Sequence, residues 1–174
     1  DKAIAEKTIT VKYDKAAPDW SGNESGIRIK STWWNKLLSS VTFGLYKGGN
    51  LDVYAKANDS QSGVAEYYYY IDNSGSTTTL TAEELSNKSF TKVAADKNGT
   101  TKLTEITSDN DYVIYAYAVD AAGNRSIYIS SDGVVLDNTA PKLTNVSTPA
   151  KSNGTLSDTS ATITFTGSEA GTYY

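Results

Sequence analysis

This chain of 174 residues contains no cysteine, no histidine and no methionine. Without thiols or imidazoles, the Cys-His and Ser-His-Asp nucleophile systems cannot be assembled, and soft-metal sites lose their usual ligands. No disulfide can staple the fold, and none is needed, because a chain of this length buries an adequate core by itself. No apolar run is long enough to span a bilayer, and no Gly-rich phosphate loop is present. Basic residues do not dominate either. Sixteen Lys+Arg against 20 Asp+Glu give a formal charge of −4 and a pI near 4.8. That balance lacks the footprint needed for nucleic acid or for insertion at an anionic membrane surface. The chain opens with neither Met nor a charged-then-apolar leader, so the numbering is expected to start inside a longer protein or after processing. Acid–base chemistry would fall to carboxylates alone, and the nearest pairs are Glu83 with Glu84 and Asp109 with Asp111. Adjacent glutamates on a helix cannot face one partner. No catalytic residue is therefore assigned, and the chain is expected not to be an enzyme.

What is present is enough apolar material to fold: 39% hydrophobic residues against 21% charged. The chain also echoes itself. Ile9-Thr10-Val11-Lys12-Tyr13-Asp14 followed by Ala16-Ala17-Pro18 is matched by Val134-Val135-Leu136-Asp137 followed by Thr139-Ala140-Pro141. The offset from Asp14 to Asp137 is 123 residues (137 minus 14), a plausible domain period. Each copy reads as a last strand running into a short Pro-ended linker. The expected organisation is a tail strand of an upstream repeat over 1–13, a complete domain over 14–137, and a truncated second domain over 138–174. Inside the complete domain the period is two. Asp52, Tyr54 and Lys56 alternate with Val53, Ala55 and Ala57, and 111–120 carries Tyr112, Ile114, Tyr115, Tyr117 and Val119 among small residues. Ile127, Ile129 and Val134 to Leu136 are read as one further strand after the turn 120–124, where Gly123 supplies a positive φ. Two short helical insertions are expected, at 33–40 and at 80–85, the latter with Thr81 and Glu84 placed for a capping box.

The phrases Asp14-Lys15-Ala16-Ala17-Pro18, Asp59-Ser60-Gln61-Ser62-Gly63, Asp120-Ala121-Ala122-Gly123-Asn124 and Asp137-Asn138-Thr139-Ala140-Pro141 resemble those of tandem bacterial Ig-like repeat domains in large Gram-positive, clostridial-type cell-surface proteins. The resemblance covers nearly the whole chain. It implies an all-β, immunoglobulin-like β-sandwich with short helical insertions, followed by a partial second Ig-like domain. It also implies an extracellular, cell-surface or cell-wall location and neighbouring Ig-like domains of the same chain as partners. It implies no particular ligand.

Two residue sets are candidates for a site. Asp14 at the linker, Asp59 between two strands and Asp120 at the later turn should all lie at one end of such a sandwich, where hard oxygen ligands suit calcium. The alternative is that each aspartate caps its own turn through the backbone. Among the aromatics, the run Tyr67 to Tyr70 must place two rings on each sheet face. Tyr68 and Tyr70, with Trp33 and Trp34, are the candidates for binding a host glycan or protein; the alternative is that these rings are packed or lidded. A structural spacer, or stalk, and an adhesion or carbohydrate-binding accessory module are the two functional readings. Buried rings favour the first and an exposed aromatic cluster favours the second.

Overall fold

The structure is a computed structural model that describes residues 13–31, 45–46, 49–76, 78–97, 99–147 and 162–169. The expected tail strand before Tyr13, the 33–40 insertion, and with it Trp33 and Trp34, lie outside the described residues. The chain divides into two compact units, Asp1–Asn138 and Thr139–Tyr174.

Strict alternation builds the first sheet. In β3 (Leu51–Lys56), Leu51, Val53 and Ala55 are wholly buried while the residues between them are only half-covered. β3 lies antiparallel between β1 (Gly26–Ser31) and β6 (Thr101–Ile106). The second sheet contains β2 (Leu45–Tyr46), β4 (Val64–Asp72), β5 (Thr91–Ala94), β7 (Asn110–Asp120) and β9 (Val134–Leu136). Its order is β2-β9-β7-β4-β5, and the short β8 (Ile129–Ser130) also pairs with β7. Among the described strands, only the β2–β9 pairing is parallel. The early chain thus pairs in one sheet at β1 and crosses to the other at β2, next to the last strand. Two such sheets closed face to face over a shared core form an Ig-like β-sandwich.

At the centre of the second sheet β4 pairs with β7, and their register divides large residues from small. Tyr67 faces Ala118, Tyr69 faces Ala116 and Ile71 faces Ile114 on the core side; Tyr68 faces Tyr117 and Tyr70 faces Tyr115 on the outer side. A ring opposite an alanine fills the inter-sheet space without forcing the layers apart. The sequence expectation for 111–120 is therefore only half met. Tyr112 and Ile114 point inward, but further along β7 the residues facing the inter-sheet core are Ala116 and Ala118, and the large Tyr115 and Tyr117 lie on the outer face, where Tyr115 is nonetheless buried and Tyr117 half-buried. Tyr67 is 1% exposed and its hydroxyl accepts the backbone N–H of Ala57 at 2.8 Å. Tyr112, at the start of β7, donates its hydroxyl to the Ser108 carbonyl at 2.6 Å, the tyrosine corner that pins a chain crossing between Ig sheets.

The segment after the 120–124 turn is not one strand. It breaks into β8 and β9 around Gly133, whose φ of 87° no extended strand accommodates. The single described helix, α1 (Ala82–Ser86), lies between β4 and β5 and begins at the expected capping box. Thr81 Oγ1 accepts from Glu84 N at 3.3 Å while the Glu84 carboxylate accepts from Thr81 N at 2.7 Å. In the second unit, β10 (Leu143–Ser147) pairs antiparallel with β11 (Thr164–Gly167). Leu143, Val146, Ile163 and Phe165 are each more than half exposed there. No described helix is long and apolar enough to cross a membrane.

Candidate metal centre and aromatic face

Three aspartates far apart in the chain converge where β7 ends. Asp14 lies in the segment leading into the first strand, Asp59 in the turn between β3 and β4, and Asp120 is the last residue of β7. One carboxylate oxygen from each lies within 4.8 Å of the other two. The expected convergence at one end of the sandwich and the capping of each turn are both present. Asp59 Oδ1 caps its turn by accepting from the N–H groups of Gln61, Ser62 and Gly63 at 3.1, 2.8 and 2.7 Å. Asp120 Oδ1 accepts from Ala122 and Asn124 at 2.9 and 2.8 Å, and Asp14 Oδ1 accepts from Ala16 at 2.8 Å. The backbone N–H groups of the turns therefore use one oxygen of each carboxylate and fix its direction. Asn124 joins the parts, donating its side-chain amide to Asp120 Oδ2 at 2.8 Å and to the Asp14 carbonyl at 3.2 Å.

What the turns leave over is the informative part. Asp14 Oδ2 and Ser62 Oγ are buried atoms without a hydrogen-bond partner, and both residues line one cavity of about 460 Å³ with Tyr13, Gln61, Ala121 and Ala122. Among the described residues no lysine or arginine forms an ion pair with any of the three aspartates. Asp120 is 2% exposed. Burial pushes its carboxyl pKa up, but hydrogen bonds from Asn124, Ala122 and Gly123 outweigh that and hold it below its ordinary 3.8. It is thus an ionised, buried carboxylate without a countercharge, beside two more. A hard cation would complete this donor set, with water and backbone carbonyls making up the six to eight oxygens that calcium takes.

The second candidate set sits on the outer face of the β4–β7 pair. The Tyr68 and Tyr117 rings stack in parallel, with centroids 4.8 Å apart and planes 3° apart. Phe90 tilts against Tyr70, Tyr117 and Tyr128 at 5.2–6.0 Å. The Arg125 guanidinium lies 3.8 Å from the centre of Tyr117 and 4.4 Å from that of Tyr128. Lys92 forms an ion pair with Glu66, whose carboxylate also accepts from Tyr68 Oη at 2.9 Å. The Lys92 bond first, and then that of Tyr68, holds the Glu66 carboxyl below its usual range. Burial raises the Tyr117 hydroxyl, with Arg125 acting in opposition. Tyr68 and Tyr70 do point away from the core, as the alternation requires, but each is half-covered by its neighbours. Of the carboxylates weighed for catalysis, Glu84 is held by the capping box, and Asp109 accepts the Asn138 N–H at 2.9 Å. No lysine among the described residues is buried.

Sequence reading missed Asn124, Arg125, Phe90 and Tyr128. Asn124 was legible as the last residue of an Asp-x-x-Gly-Asn turn. Arg125 and Phe90 carry no periodic signal, since one follows a turn and the other precedes a short edge strand. No family model, no curated protein and no solved structure matches the chain.

Proposed function

We propose that the chain is a non-catalytic Ig-like repeat that acts as a spacer in a bacterial cell-surface protein, and that calcium fastens its incoming segment to the sandwich. One observation carries this reading: the first unit receives the chain at one end and releases it at the other. Asp14 lies beside Asp120, where β7 ends, and Asn138 is bound to Asp109, just before β7 begins. The 11 residues of β7 span roughly 35 Å at about 3.3 Å per residue, so each repeat would add that length to an array. The half-covered state of Tyr68 and Tyr70 also favours the spacer over a flat aromatic platform for glycan.

The test is thermal unfolding of the intact chain in 10 mM calcium and in chelator, with Asp14→Asn and Asp59→Asn beside the wild type. Asparagine keeps the oxygen that caps each turn and removes the charge, so it separates the turn role from the metal role. At a Kd near 1 mM, in the range of extracellular modules, tenfold excess calcium stabilises by about 1.4 kcal/mol, or a few degrees in Tm. The variants are expected to lose that increment while matching or exceeding the wild type in chelator. A folded wild type whose Tm ignores calcium would remove the cation from the proposal.

A further inference from the structure

Arg125 is exposed and carries no carboxylate partner among the described residues. Its guanidinium is laid over two rings, Tyr117 and Tyr128. Stacking occupies the flat face of a guanidinium and leaves the N–H edge free, the edge that grips a carboxylate in two parallel bonds. Tyr128 is also one wall of a cleft of about 320 Å³, whose other apolar walls are Leu80, Leu85, Tyr115, Ile127 and Ile129.

The cleft is fixed in shape. The Leu80 N–H is bound to Tyr115 Oη at 2.9 Å, and the Thr81 capping box starts the helix that holds Leu85. The Ile127 carbonyl accepts from Trp20 Nε1 at 3.2 Å and from Ser126 Oγ at 2.9 Å, which leaves the Ile127 side chain 77% exposed at the rim. An exposed isoleucine on a pinned backbone beside an apolar cleft and an unpaired arginine is a combination that water alone does not reward.

We infer that this cleft and Arg125 together dock an acidic, apolar peptide segment of a partner protein, with an apolar side chain in the cleft and a neighbouring carboxylate on the guanidinium. Charge complementarity selects the acid: the Arg125 guanidinium is exposed and has no carboxylate partner among the described residues. The lining selects a peptide over a sugar. Beyond the Tyr115 hydroxyl, already bound to Leu80, the side-chain polar groups of the cleft are the three hydroxyls of Thr79, Tyr128 and Ser130. A pyranose ring would bury more hydroxyls than these can satisfy, whereas a leucine side chain leaves none unpaired. This site is separate from the aspartate cluster and does not rest on the spacer reading.

The experiment uses fluorescein-labelled five-residue peptides and the intact chain. One peptide places glutamate beside leucine, a second replaces the glutamate by lysine, and a third replaces the leucine by serine. Glucuronic acid serves as the sugar competitor. Saturable anisotropy is expected for the Glu-Leu peptide, at least tenfold weaker for both replacements and weaker in high salt. Arg125→Gln and Ile127→Ser should each lower affinity at least tenfold. Ile127→Ser should leave Tm unchanged, because that side chain is exposed, which separates lost binding from lost folding. The proposal is overturned if the Glu-Leu peptide fails to saturate, if it binds Arg125→Gln equally well, or if glucuronic acid binds and displaces it while the leucine-to-serine peptide loses nothing.

Discussion

Tyr67 shows how much one atom can hold in this fold. Its ring is, with that of Tyr115, one of the two largest wholly buried side chains among the described residues, and its hydroxyl is the partner of a backbone N–H at Ala57, beyond the end of β3. Tyr67→Phe keeps the ring and strands that donor in the core, at a cost of about 1–3 kcal/mol. Tyr69→Phe is the control, because the Tyr69 ring packs on the same core but its hydroxyl has no described bond; less than about 0.5 kcal/mol is expected. Chemical denaturation of the two variants with unchanged m-values checks both. Burial also raises the Tyr67 pKa above its ordinary 10.0. The folded state therefore favours the neutral phenol, and that contribution is complete below pH 10 and fades above it.

At the level of the element, α1 is five residues long and would not persist alone. Its capping box and the burial of Leu85 hold it. Thr81→Ala removes the cap at a cost of about 1 kcal/mol. Faster amide exchange is expected over 84–88, where Leu85 N bonds Thr81 O and Lys88 N bonds Leu85 O, while exchange in β7 stays slow.

This helix was legible in the sequence because a capping box is local chemistry, and β3 was legible because its alternation has one buried face. The run 111–120 misleads for a physical reason: the inner face of β7 must accept the β4 rings, so its later inner positions are alanines, and the bulky Tyr115 and Tyr117 lie on the opposite face of the sheet. The break between β8 and β9 rests on Gly133, which apolar patterning ignores. The aspartate cluster was legible as three turn motifs at one end of a sandwich; the spare oxygens of Asp14 and Ser62 and the bridging role of Asn124 needed coordinates. The cleft walled by Tyr128 had no sequence signature, since its lining comes from a loop, a helix, β7 and the stretch from Ile127 through β8.

For the whole molecule, the parallel pairing of β2 with β9, Leu45 to Val135 and Tyr46 to Leu136, takes on meaning when the chain is pulled from its two ends. Strands running the same way, one near the start and one at the finish of a unit, slide against each other under tension, so their bonds are loaded in shear and must fail together rather than unzip one by one. A cation at Asp14 would lie in the same line of force, ahead of β2. Rupture under load follows the unfolding rate rather than the equilibrium stability. In an optical trap with handles at both ends, the rupture force of the first unit is therefore expected to rise with calcium in the wild type and to stay level in Asp14→Asn, which would make this unit a link whose strength is set by the ion content of its surroundings.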